Sequence, residues 1–165
     1  MKRFSTMLGL LFVLCFATVK GQNEKFKALF IYNFTNYIEW PNVEGNMFVI
    51  AVLGDSPIIA EIQTISKIKN VGRQTIEVKK INAVSEIGNA SIIYVPNYRK
   101  KALLELAQTY GNKPVLVISD EAAGNFGINF VENGQKQSFQ ISRNNIEGHH
   151  LKVHSSLISL GTPVN

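Results

Sequence analysis

Met47-Phe48-Val49-Ile50-Ala51-Val52-Leu53 is an unbroken apolar run that leads into Gly54-Asp55-Ser56 and Pro57. A strand with one wet face alternates apolar and polar side chains, so an unbroken run of strand length implies burial on both faces. Proline just after a tight turn suits the first position of a helix. The segment therefore reads as a strand feeding a helix, about Pro57 to Lys69, that buries Ile58, Ile59, Ile62, Ile65 and Ile68. Asn70-Val71-Gly72 turns the chain into an alternating strand, Thr75 to Ile81. The unit then recurs. Ser91 to Val95 is a short apolar strand ended by Pro96, Arg99 to Tyr110 carries Leu103, Leu106, Ala107 and Tyr110 on one side, and Pro114 to Ile118 is the next buried strand. Strands alternating with helices imply a mostly parallel sheet covered on both faces.

Three further segments complete the pattern. Upstream, Glu24 to Trp40 reads as one helix closed by Pro41, with Phe26, Leu29, Phe30, Phe34, Tyr37, Ile38 and Trp40 at three- and four-residue steps. Downstream, Gly127 to Val131 and Lys136 to Ile141 flank Asn133-Gly134, a hairpin signal. Arg143 to Leu160 reads as helical with an interruption at Gly148. The fold class is α/β: a single three-layer domain with a mostly parallel sheet, an appended antiparallel hairpin and flanking helices.

The first twenty-one residues read as a secretory signal: Met1-Lys2-Arg3 is a basic start, Met7 to Ala17 is an apolar run too short to span a bilayer, and cleavage is expected after Gly21. Leu14 before Cys15 does not suit a lipidation site. The expected product is a soluble periplasmic domain, residues 22–165. Three of the 17 basic residues leave with the signal, so the excess over the 12 acidic ones falls from +5 to +2 and the alkaline character says little about partners. The lone cysteine, Cys15, leaves too, which removes thiol chemistry and disulfides from the mature domain.

In an open parallel sheet, ligands sit outside the carboxyl ends of the strands. If the strand order reverses between the first and third strands, Asp55, Ser56, Tyr98, Ser119 and Asp120 line one crevice there, the candidate ligand site. The competing role for Asp55, Ser56, Ser119 and Asp120 is to cap turns and helix starts. No catalytic pattern fits. Ser119 lies outside a G-x-S-x-G elbow, every histidine lies in the C-terminal segment, and neither G-x-G-x-x-G nor a phosphate loop is present. Glu147, His150 and His154 have helical metal spacing, but Gly148 spoils the face, so no metal and no cofactor is expected. Arg99-Lys100-Lys101 lacks an aromatic platform, so nucleic acid is not an expected partner.

Tyr32-Asn33-Phe34-Thr35-Asn36-Tyr37-Ile38-Glu39-Trp40-Pro41, then Ile50 to Pro57, then Val117-Ile118-Ser119-Asp120 and Gly127-Ile128-Asn129-Phe130, resemble in order the landmarks of the YfiR-like periplasmic family. The resemblance implies a small exported α/β domain without a known catalytic centre. It also implies a regulator, not an enzyme, of cyclic di-GMP signalling. The best-understood member type binds the periplasmic sensor domain of an inner-membrane diguanylate cyclase and holds the enzyme inactive; relatives sit beside other membrane signalling proteins, such as a sensor kinase. Some members carry disulfide cysteines that tune them by redox state, and this mature domain has none. For the partner surface, the candidates are Tyr32, Tyr37 and Trp40. They form part of an aromatic excess in the first helix that fits a client or a self-association (homodimer) patch, unless the domain covers it. The alternative function is a periplasmic small-molecule-binding module using the strand-end crevice.

Overall fold

A computed structural model describes residues 21–41, 45–122, 126–133 and 136–164. The expected signal peptide lies outside these, apart from its last residue, as do Gly134 and the residues 123–125 that follow Ser119-Asp120. A helix over 21–34 (α1) leads into strands β1 (Ile38–Glu39) and β2 (Met47–Leu53). Helix α2 (Ile58–Ser66) follows, then β3 (Asn70–Val71), β4 (Gln74–Ile81) and β5 (Ile92–Val95). Helix α3 (Ala102–Tyr110), β6 (Leu116–Asp120) and the hairpin β7 (Ile128–Asn133) and β8 (Lys136–Ile141) come next. The chain ends with α4 (Arg143–Gly148), β9 (Lys152–Val153), α5 (Ser155–Leu160) and β10 (Thr162–Pro163).

The main sheet has the order β10-β8-β7-β6-β5-β2-β4-β3. Its middle, β4-β2-β5-β6-β7, is wholly parallel, with β3 and β8 antiparallel at the two sides. The unbroken run in β2 is explained by this position: Phe48, Ile50 and Val52 enter one core, while Val49, Ala51 and Leu53 enter the other. The first core lies under α1 and α2, with Ile146 of α4 and Leu157 of α5; the second lies under α3 and a short 3-10 turn, Val84–Glu86. Each fully buried Ile or Val in these layers contributes about 1.5–3 kcal/mol.

The first helix is shorter than its periodicity implies. It stops at 34, the next three amides bond three residues back (Thr35 to Tyr32, Asn36 to Asn33, Tyr37 to Phe34), and Ile38–Glu39 pairs with Val153 and Lys152 of β9. That pairing partner lies far along the chain, so no local pattern announces it. The buried face also differs from the expected one. Lys27, Ala28, Ile31, Phe34 and Ile38 point inward, whereas Leu29 is 49% exposed. At the carboxyl end, the interruption is wider than one glycine: α4 ends, His150 takes a left-handed conformation, and β9 intervenes before α5. Ile68 is exposed because α2 ends at Ser66, with the Ile68 and Lys69 amides both bonding the Ile65 carbonyl. The hairpin pairs Asn133 directly with Lys136, so Asn133 belongs to β7, not to the turn.

Candidate functional site

The strand order reverses between β2 and β5, flanked by β4 on one side and β6 on the other. At this switch point the loops after β2 and β5 do meet. Tyr98 lies over Gly54 and its hydroxyl donates to the Asp55 carbonyl (2.9 Å), while Lys80 of β4 pairs with the Asp55 carboxylate. Gly54 has φ +87° and a Cβ there would run into the Tyr98 hydroxyl, so glycine is required twice over. Ser56 accepts a hydrogen bond from the Ile58 amide (3.4 Å) at the start of α2. Tyr98, still 63% exposed, thus lies across part of this crevice and bonds its edge.

Ser119 and Asp120 do not join this group. Neighbouring residues of a strand point to opposite faces, and these two lead to separate networks. The buried Ser119 hydroxyl donates to Asn129 Oδ1 (2.9 Å), which also accepts from the Ala122 amide (3.1 Å). Asn129 Nδ2 donates in turn to the Ala122 carbonyl (3.0 Å) and to Gln140 Oε1 (3.1 Å). This side-chain amide mimics a strand partner and anchors the chain leaving β6. Ser119 is neither a helix cap nor a nucleophile held by a base.

Asp120 faces α1, where Lys27 is only 5% exposed. Lys27 Nζ lies 2.9 and 3.0 Å from the two Asp120 oxygens, with hydrogen-bond geometry only to Oδ2, and 3.5 Å from Glu24 Oε1. Burial works against the Lys27 charge; the hydrogen bond and attraction from Asp120, then those from Glu24, outweigh it and raise its pKa. Glu24 is pushed up by burial, pulled down by Lys27 and pushed up again by Asp120, with a net rise. Tyr94, fully buried on β5, is held neutral by burial and by the nearby Asp120 and Glu24 charges. The cluster fastens α1 to β5 and β6. A sequence signal for it exists: a lysine placed four and seven residues before the buried Ile31 and Phe34.

The open space lies at the other end of the sheet. A cleft of about 820 Å³ opens where β2, β4, β5 and β6 begin. Trp40 is one wall, T-shaped on Phe48 (5.0 Å between ring centres), with its Nε1 donating to the Ser91 carbonyl (3.0 Å). A smaller groove of about 340 Å³ lies between α1 and α5, lined by Phe30, Tyr37, Phe139, Leu157 and Leu160, the last 66% exposed. Of the three aromatics singled out in the sequence, Tyr37 faces this groove and Trp40 the large cleft, while Tyr32 is half-buried against the first core.

Among the described residues, no group of three His, Cys, Asp or Glu side chains is placed to hold a metal ion. No helix among them is long and apolar enough to cross a membrane. A parallel sheet with its order reversed at one point and helices on both faces defines a doubly wound α/β domain. A family model described as YfiR/HmsC-like matches residues 24–162, and the chain belongs to that family. A search among curated proteins finds no match.

Proposed function

We propose that the protein is an exported regulator that binds, and thereby inhibits, the periplasmic sensor part of an inner-membrane diguanylate cyclase. Family membership over residues 24–162 carries this reading, since the family is one of periplasmic regulators, not catalysts. The basic start and short apolar run before residue 22 supply the export route. The α1–α5 groove offers the contact surface, because the half-buried Phe30 and Tyr37 beside the exposed Leu160 are the composition that interface centres favour. The test is genetic and then physical. Deleting the gene in its host is expected to raise cellular cyclic di-GMP, an effect abolished by also deleting the client cyclase, and the purified domain is expected to bind that cyclase's sensor domain. Unchanged cyclic di-GMP together with no binding would refute the proposal, and binding to a sensor kinase instead would replace the client.

A small-molecule input is the second reading, favoured by the size of the Trp40 cleft. Ligand pockets typically enclose about 300–1,000 Å³, and this one falls in that range.

A further inference from the structure

We infer that the cleft at the amino end of the sheet binds an apolar carboxylate, a small molecule with a hydrocarbon body and one anionic head. Three observations combine. Part of the lining is apolar: Trp40 and Phe48 form an aromatic corner, and Met47, 54% exposed although the rest of β2 is buried, lines the same cleft as Val71. An aromatic wall inside a concavity is the kind of surface that the hydrocarbon part of a ligand covers.

The charge comes from two loops on opposite sides of the rim, one at the start of β4 and one before β6, with β2 and β5 between them. Arg73, in the turn between β3 and β4, has no carboxylate partner among the described residues, and Lys113, before β6, has only the Tyr110 ring (4.4 Å). Either cation, at the mouth of a cleft with an aromatic wall, offers a charge-assisted contact to the anionic head of a ligand whose hydrocarbon body lies against that wall.

The cleft is also held in shape. The buried Gln74 side chain donates to the carbonyls of Gly45 and Met47 (3.2 Å each), and the Trp40 indole is tied to Ser91. A ligand therefore finds its walls already in place and does not have to order them.

Trp40 is the only tryptophan of the chain, so its fluorescence reports this cleft and nothing else. The purified protein is titrated with decanoate and, separately, with phenylbutyrate, which distinguishes an aliphatic from an aromatic body. Decanol and decylammonium serve as neutral and cationic controls. A saturable change in Trp40 emission is expected with at least one of the carboxylates. Binding is expected to be about tenfold weaker for decanol and for Arg73→Glu or Lys113→Glu, the loss of one charge-assisted contact. Calorimetry on the same samples covers the case of a silent indole. The inference is overturned if neither carboxylate gives fluorescence change or heat, if decanol or decylammonium binds as tightly as decanoate, or if both charge reversals leave affinity unchanged. It is independent of the cyclase reading, since no partner protein enters the experiment.

Discussion

Replacing Lys27 by methionine keeps the length of the side chain and its packing under α1 while deleting the positive charge. Asp120 and Glu24 then face each other with no cation between them, their side chains only 15% and 18% exposed. Removing one partner of a buried pair costs about 3–5 kcal/mol because a buried charge is left uncompensated. The residual exposure of both carboxylates lets water relieve part of this, which places the expected loss near the lower figure, about 3 kcal/mol. For a domain of this size each kcal/mol shifts Tm by roughly 2–4 °C, so the midpoint is expected to fall by about 6–12 °C. Urea unfolding followed by circular dichroism measures the loss directly. The cause is isolated by a double-mutant cycle: adding Asp120→Asn to Lys27→Met removes the stranded charge and is expected to recover much of the stability, whereas Asp120→Asn alone destabilises. If Lys27→Met costs less than about 1 kcal/mol, or if the second substitution makes matters worse, the ion cluster is not what fastens α1 to the sheet.

The same cluster predicts a pH dependence. Because the native state raises the Glu24 pKa above 4.5, between that value and the raised one it holds a proton the unfolded chain has released, so stability falls as pH rises through this window. Glu24→Gln is expected to flatten that slope in Tm measured across mildly acidic to neutral pH. Elsewhere, Asn129→Ala deletes an amide that bonds Ser119, Ala122 and Gln140, and the stranded buried groups are expected to cost about 2–4 kcal/mol by urea unfolding. Ser119→Ala loses one of those bonds and is expected to cost about 1 kcal/mol in the same assay.

The parts of the fold that were legible in sequence are those whose cause is local. The run Met47–Leu53 became β2 with those bounds because a strand buried on both faces can only be written as continuous hydrophobicity. Pro96 marked the end of β5 and Gly111 the end of α3 for the same kind of reason. What escaped was decided by distant partners. Ile38 and Glu39 continue the helical pattern yet pair with Val153 and Lys152, and the orientation of α1 follows from Asp120 receiving Lys27, neither of which a periodicity of aromatic residues records. The apolar spacing pointed toward a face that included Phe26, Leu29 and Phe30; the buried face instead carries Lys27, Ala28, Ile31 and Phe34.

The candidate site shows the same division from the functional side. The switch-point rule located the crossing of β2 and β5 in the topology, and it assumes that the space outside those strands is open. Here the residue after the loop proline and asparagine is a tyrosine, and the residue it needs beneath it is a glycine at φ +87°; together they lay a largely exposed ring over the β2 loop, bonded to the Asp55 carbonyl. The amino-end cleft exists because α1 stops at 34, which carries Trp40 away from the helix and sets it edge-on against Phe48, with Arg73 and Lys113 brought to the rim by two unrelated loops. A reading that kept Trp40 on a continuous helix placed it on a partner surface. The strand pairing of Ile38 and Glu39 with β9 makes the same residue a wall of the cleft, so the early end of one helix is the structural event on which the cleft depends.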